Sequence, residues 1–113
     1  MVHYSKVVRG AAVYAETELV SKLHGTLPGW LSGAAVAFLS DNVNMYIGKV
    51  LNSQIAREFG FVDGENINVE VAYKYILAEA RKGSATITLP FGMPPLTLTE
   101  ADVEALYKHI KGA

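Results

Sequence analysis

The sequence predicts an α+β fold of four helices, the second of them long, with one β-hairpin between the third and fourth helices. Apolar residues recur at three-and-four spacing over most of the chain, which is the period of an amphipathic helix. That period changes to strict alternation over residues 84–89, which indicates a half-buried strand. At 113 residues, of which 50% are hydrophobic, the chain has the size and composition of one globular domain. We therefore expect residues 1–113 to form a single compact, soluble domain.

Residues 5–23 are predicted to form the first helix. Apolar side chains recur along it about one turn apart, at Val8, Ala11, Ala12, Ala15, Leu19 and Leu23. Ser5 is a residue type that caps helix N-termini, so we expect the helix to begin there. Residues 24–29 contain two glycines and a proline and are predicted to end it.

Residues 30–59 are predicted to form the long second helix, about 43 Å in length if unbroken. Its apolar stripe comprises Ala35, Leu39, Val43, Ile47, Val50, Leu51 and Ile55. Gly48 weakens this helix by about 1 kcal/mol relative to alanine. Asp and Asn favour helix caps over helix interiors, so a break within residues 40–44 is the alternative.

Residues 68–82 are predicted to form the third helix. Gly60 ends the preceding helix as a left-handed C-terminal residue, and Asp63 and Gly64 form a turn before the third helix begins. Basic residues occupy the last turn of the third helix, where the helix dipole favours cations, and Gly83 ends it.

Residues 84–89 and 96–99 are predicted to pair as the β-hairpin. In both segments apolar residues alternate with serine or threonine, so one face is apolar and the other is lined with hydroxyl groups. A two-stranded hairpin is marginally stable alone. We therefore expect its apolar face to pack on a helix, or its edges to pair with strands of another copy.

Residues 100–111 are predicted to form the fourth helix. Thr99 is its N-cap, and Glu100 and Asp102 place negative charge in the first turn. Asp102 also occupies the position from which a capping-box side chain returns a hydrogen bond to the N-cap residue. The predicted buried stripe comprises Val103, Leu106, Tyr107 and Ile110.

The charge balance, the cysteine count and the hydropathy exclude several classes of site. The 10 basic and 11 acidic residues give a formal net charge of −1, which provides no bulk attraction to nucleic acid or to an anionic membrane. With no cysteine, there is neither a disulfide framework nor a thiolate metal site. The most apolar stretch, residues 31–39, is about half as long as a membrane-spanning helix.

We find no motif of a catalytic, cofactor or metal site in the sequence. His3, His24 and His109 lie far apart, and none has a partner at metal-ligand spacing. There is no nucleophile-elbow motif, P-loop or dinucleotide-binding glycine pattern. The sequence therefore predicts a protein that is not an enzyme, with no cofactor, no bound metal and no identified small-molecule substrate.

Three short segments resemble proteins of a known group: GSATITLP (residues 83–90), LTLTEADVEALY (residues 96–107) and VRG (residues 8–10). They are similar to parts of short proteins encoded by phages and prophages of Gram-positive bacteria. The resemblance covers the last third of the chain and the first helix. It implies a structural role related to phages, and no functional residue follows from it.

Two apolar loop segments are the predicted protein-interaction sites. At the hairpin tip, Phe91 and Met93 lie among prolines that include Pro94, and a rigid apolar loop of this kind is suited to binding a partner. Packing of Phe91 back onto the core of its own chain is the alternative. The second segment contains Leu27 and Trp30. Trp is enriched in binding hot spots, but a sole Trp is also a common core residue.

These observations predict a non-enzymatic structural or assembly protein that forms homo-oligomers or binds other protein subunits. The predicted location is the cytoplasm, or a virion or phage-like particle. The alternative is a winged-helix regulator that binds nucleic acid, with Lys74, Arg81 and Lys82 of the third helix as DNA contacts. The same helix also carries Glu70 and Glu79, and the hairpin has no basic residue, which disfavours nucleic acid as a partner.

Overall fold

The computed structural model describes residues 1–23, 33–89 and 94–112. Its helices are α1 (Tyr4–Tyr14), which continues through a π-helical turn (Ala15–Leu19) into α2 (Val20–Leu23), then α3 (Gly33–Leu51), α4 (Gln54–Glu58), α5 (Val69–Arg81) and α6 (Glu100–Gly112). Its strands are β1 (Val2–His3), β2 (Val62–Asp63), β3 (Asn66–Ile67), β4 (Thr86–Ile87) and β5 (Leu96–Thr97). The mixed α+β class is confirmed. The described residues form five helical stretches and two small sheets, whereas the sequence predicted four helices and a single hairpin.

The additional helix arises because a cap at Ser53 divides the predicted second helix. Ser53 has an extended backbone, and its Oγ accepts a hydrogen bond from Ala56 N at 3.2 Å and donates one to Val50 O at 2.7 Å. These hydrogen bonds end α3 and begin α4, so the prediction of one helix over residues 30–59 is wrong. The alternative break within residues 40–44 is also wrong, because α3 is continuous there.

The additional sheet joins the N-terminus to the middle of the chain. Its antiparallel order is β1-β3-β2, with Val2 and Val62 both opposite Ile67. The predicted turn at Asp63 and Gly64 connects β2 to β3, and Gly64 has φ of +60° there. Each strand has two residues, too few to produce the alternation by which strands are detected in a sequence.

The first helix begins at Tyr4, and its N-cap is His3 instead of the predicted Ser5. Nδ1 of His3 accepts a hydrogen bond from Ser5 N at 3.1 Å. The backbone of Tyr4 also donates to the carbonyl of Glu65 at 2.7 Å, which ties the helix start to the β2–β3 turn. The face that the described part of this helix buries comprises Val7, Gly10, Ala11, Tyr14, Ala15 and Leu19.

The C-terminal half agrees closely with the prediction. Asn68 caps α5 by accepting from Val71 N at 3.3 Å, and Gly83 follows that helix with φ of +74°. Thr99 and Asp102 form the predicted capping box of α6: Thr99 N donates to Asp102 Oδ2 at 2.9 Å, and Asp102 N donates to Thr99 Oγ1 at 3.2 Å. Between these helices, β4 and β5 pair antiparallel as the predicted hairpin.

The core lies between α1, α3, α5, α6 and the hairpin. α1 packs against both α3 and α6, and α5 packs against α6. α1 approaches α6 closely at Gly10, where an added Cβ would lie 2.7 Å from the backbone nitrogen of Ile110. The largest fully buried side chains are Tyr14, Phe61, Leu19, Leu39, Ile87, Leu98, Val43 and Val103. The core therefore buries one face of α3 and one face of the hairpin, and the opposite face of each carries exposed side chains.

Candidate protein-interaction surface

Most of the interaction residues predicted from the sequence lie outside the described part of the chain. This is true of Leu27, Trp30, Phe91 and Met93. Pro94 is described and is exposed where the chain enters β5. Whether the hairpin tip packs on the core or projects toward a partner therefore stays a prediction.

The hairpin has the two-faced character that the sequence predicts. Thr86 lies opposite Thr97 and Ile87 opposite Leu96, and the pairing extends to a hydrogen bond from Leu98 N to the carbonyl of Ala85. Its buried side chains are Ala85, Ile87, Leu89 and Leu98, and its exposed ones are Thr86, Thr88, Thr97 and Thr99. The buried face packs toward α3 through β4. Within the described residues, each strand has only the other as its partner, so both outer edges can accept a further strand.

The outward face of α3 carries large apolar side chains. Leu39 and Val43 point into the core and are 1% and 0% exposed, whereas Phe38 and Met45 are 50% and 60% exposed. Phe38 and Met45 are seven residues apart, which places them two helical turns apart on one face. α3 thus presents apolar side chains on both its inner and its outer face.

A shallow groove of about 40 Å³ joins the outward face of α3 to the hairpin. Its lining comprises Asn42, Met45, Tyr46, Lys49, Thr86 and Thr88. We call these six residues, together with Asp41, the α3–hairpin surface. Burial, followed by the nearby charge of Glu79 and by Tyr75, raises the pKa of Tyr46 to about 12. The Tyr46 hydroxyl is therefore neutral at physiological pH.

The charges of this surface have no partner within the described chain. Asp41 and Lys49 are the two charged residues of α3, both are exposed, and neither belongs to any ion pair that the described residues form. Asn52, just after α3, uses its side chain to donate to the Gly48 carbonyl at 2.8 Å. The outward face of α3 therefore combines exposed apolar area with one uncompensated charge of each sign.

Two further polar groups of α3 lack a hydrogen-bond partner in the part of the chain that the structure describes. Ser40 Oγ and Asn44 Oδ1 are shielded from solvent and have no hydrogen-bond partner among the described residues. A shielded polar atom without a partner costs about 1–3 kcal/mol. Among the described residues, both shielded side-chain atoms of this kind belong to α3.

The two histidines that the structure describes each lie beside a carboxylate. Nε2 of His3 lies 3.0 Å from Glu65, and Nε2 of His109 lies 3.4 Å from Glu18, while His24 is outside the described residues. Across residues 1–23, 33–89 and 94–112, no group of three or more His, Asp or Glu side chains could hold a metal ion. The imidazoles of His3 and His109 thus each contact a carboxylate.

A second depression lies beside the start of α1, lined by His3, Tyr4, Ser5, Val8, Arg9, Asn52, Gly64 and Glu65. It is wide and open, with a volume of about 720 Å³. Its polar side chains are exposed, and His3 and Glu65 contact each other. It lacks the enclosure and the convergent buried polar groups that are typical of small-molecule sites.

No family model matches the chain, and no curated protein or solved structure matches it. The resemblance to phage and prophage proteins therefore stays a prediction. None of the described helices is long and apolar enough to cross a membrane.

Sequence reasoning did not identify Asp41, Met45 and Lys49 as interaction residues, although a signal was present. A surface helix normally has one apolar stripe and an opposite face rich in charge. Over its 19 residues α3 carries two charged side chains, and its apolar residues continue around the helix. A count of charged residues per helix would have indicated that the outward face of α3 has unusually few charged side chains for a surface helix.

Proposed function

We propose that this chain is a non-enzymatic structural or assembly protein that acts through protein–protein contacts, including contacts between its own copies. The α3–hairpin surface is the site of those contacts. The proposal extends to a phage or prophage setting, for which the resemblance of residues 83–90 and 96–107 is the support. The neighbouring genes test the setting, because capsid or tail genes on either side support it and a metabolic operon contradicts it.

The observation that carries the proposal is the exposed apolar face of α3. Met45 is 60% exposed on a helix whose opposite face buries Leu39 and Val43, and Thr86 and Thr88 of the hairpin line the same groove as Met45. A surface helix normally buries its large apolar side chains on one face and carries polar and charged side chains on the opposite one. Methionine is a side chain of adaptable shape that recurs at protein-binding surfaces. Contact with another protein chain would remove the apolar surface of Met45 from water.

The alternative of a DNA-binding winged helix has weaker support from the charges of α5. Arg81 contacts Glu100, and Lys82 lies 3.9 Å from Glu79. Lys74 is exposed and outside these ion pairs. Competent DNA binders use several free Lys or Arg side chains on phosphates. Strong retention on heparin at low salt that falls steeply with added salt would favour this alternative over the proposed function.

Size-exclusion chromatography with light scattering tests the proposal. Wild-type protein should show an average mass that rises with concentration between about 10 μM and 1 mM, since a small interface gives a weak association. Met45→Ser should lower that mass toward the monomer. Phe59→Ser is the matched control, because Phe59 is a large apolar side chain, 66% exposed, outside the α3–hairpin surface.

Two results would contradict the proposal. The first is a wild-type protein that stays monomeric throughout this range. The second is an equal loss of association in Met45→Ser and Phe59→Ser, which would indicate general stickiness of apolar side chains instead of a defined surface.

A further inference from the structure

Asp41, Met45 and Lys49 form one row on the outward face of α3. They are spaced by four residues, and residues at i, i+4 and i+8 lie along a single ridge of a helix surface. The charges stand about 6 Å on either side of Met45 along the helix axis. The row thus reads acid, apolar, base, with the apolar residue at its centre.

We infer that this row pairs with the same row of a second copy, antiparallel, about a twofold axis at Met45. This inference rests on the proposed function and names its partner. In an interface with twofold symmetry, residue i of one copy contacts residue j of the other, and j contacts i. Reversing the row places Asp41 of each copy opposite Lys49 of the other and brings the two Met45 side chains together. Both uncompensated charges of α3 are then neutralised by one symmetry operation.

The surrounding residues allow this approach. Rows of residues spaced by four align when two helices pack at about 50°, the commonest crossing in globular proteins. Gly48 lies one turn from Met45, and a Cβ built on it meets nothing within 4 Å, so a second helix can come close there. Thr86 and Thr88 border the same groove and add hydroxyl groups at the rim of the interface, where polar residues are usual.

Charge complementarity favours a second copy over an unrelated partner. One apolar residue flanked symmetrically by opposite charges is complementary to itself when reversed. A strongly charged partner would match only one of the two charges and would oppose the other. With a formal net charge of −1, two copies also repel each other only weakly.

Charge reversal with rescue tests the pairing by sedimentation equilibrium. Asp41→Lys and Lys49→Asp each place like charges opposite each other twice in the dimer, so each should raise the dimer dissociation constant by about tenfold or more. The double variant Asp41→Lys/Lys49→Asp restores both ion pairs and should recover the wild-type constant within about threefold. At about 1 M salt the differences should shrink, because the Debye length is then about 3 Å.

A control separates the local effect from net charge. Glu16→Lys changes the net charge as Asp41→Lys does, at an exposed position of the π-helical turn outside the α3–hairpin surface, and should leave the dissociation constant unchanged. Thermal unfolding of every variant checks that the monomer remains folded.

The outcomes distinguish this inference from the proposed function. If the wild type associates and Met45→Ser weakens it, but the double charge reversal does not restore binding, the antiparallel pairing is wrong and the proposed function stands. The same holds if neither single reversal has an effect. A wild type that never associates overturns both.

Discussion

α6 and α3 both cover the core of this protein, but their outward faces differ in kind. α6 carries six acidic or basic side chains, and each contacts a side chain of the opposite type: Glu100, Asp102, Glu104, Lys108, His109 and Lys111. α3 is longer and carries two charged side chains, neither of which does so within the described residues. α3 also exposes Met45 and contains two shielded polar atoms without a partner.

The two helices differ in whether their acidic and basic side chains have partners within the described chain. Exposed ion pairs contribute little stability each. The α6 pairs matter here for another reason, which is that the acidic and basic side chains of this helix find their partners within the same chain. The outward face of α3 lacks such partners, and this contrast is why we place the protein–protein contacts on α3.

The largest expected effect is a difference in the free energy of unfolding between substitutions on the buried and on the exposed face of α3. Leu39→Ala removes a buried side chain and should lower the free energy of unfolding by about 3 kcal/mol. Met45→Ala, two turns away on the exposed face, should change it by less than about 0.5 kcal/mol in dilute protein. Urea unfolding at low micromolar concentration measures both. A cost for Met45→Ala close to that for Leu39→Ala would mean that Met45 is held by its own chain.

The next effect compares one substitution at two glycines. Gly10→Ala forces a Cβ against the backbone of Ile110, so the α1–α6 contact should loosen, at a cost of about 2 kcal/mol. Gly48→Ala meets open space and should stabilise the monomer by up to about 1 kcal/mol through helix propensity. Thermal unfolding of both variants gives the comparison. Destabilisation by Gly48→Ala in dilute protein would show that the outward face of α3 is already covered.

A smaller effect concerns the capping box of α6 and its dependence on pH. Burial raises the pKa of the Asp102 carboxyl, but hydrogen bonds from Lys22 and Thr99 lower it by more, so the pKa lies below its ordinary value. A carboxyl with a lowered folded pKa stabilises the protein above its unfolded pKa of about 3.9 and loses that contribution as pH falls through the folded pKa. Asp102→Asn should therefore cost about 1 kcal/mol near neutral pH.

Urea unfolding from neutral pH to about pH 2 measures this dependence. The gap in stability between wild type and Asp102→Asn should narrow as the pH falls below about 4. Glu104→Gln, which breaks an exposed pair with Lys108 within α6, is the control and should have little effect at any pH. A gap for Asp102→Asn that is constant with pH would contradict the assignment of the stabilisation to the carboxylate.

The smallest expected effect concerns the unsatisfied polar atoms of α3. Ser40→Ala removes a shielded hydroxyl that has no partner within the described residues, so it should leave the free energy of unfolding unchanged or raise it by about 0.5 kcal/mol. Thr99→Ala, which removes a hydroxyl that caps α6, should instead lower it by about 1 kcal/mol. If Ser40→Ala destabilised the monomer as much as Thr99→Ala, the Ser40 hydroxyl would have to make a stabilising hydrogen bond, as the Thr99 hydroxyl does.

The parts of the fold that the sequence predicted are those specified by neighbouring residues. α5, α6 and the hairpin have local caps, turn glycines and clear periods, and they form close to the predicted residues. The cap at Ser53 was missed because the apolar stripe continues across it from Val50 to Ile55. The β1-β3-β2 sheet was missed because it joins two-residue strands far apart in the chain, a pairing that no local pattern encodes.

The candidate surface was predicted in part. Alternation in the hairpin indicated the exposed threonines. Pro94 is exposed, and its role as an interaction residue stays a prediction. Met45 and the two charges beside it were missed because the sequence shows which residues of α3 are apolar, while only the packed structure shows which of its faces the core uses. The predicted sites at Leu27, Trp30, Phe91 and Met93 lie outside the described residues and stay predictions.

The most direct test of the central claim is a covalent one, because the chain contains no cysteine. A twofold axis at Met45 brings the two copies of that position together, and a disulfide requires Cα atoms within about 7 Å. Mild oxidation of Met45→Cys should give a disulfide-linked dimer in high yield at concentrations where Phe59→Cys remains monomeric. Equal crosslinking of the two variants, or none in either, would contradict the claim that the outward face of α3 meets a second copy.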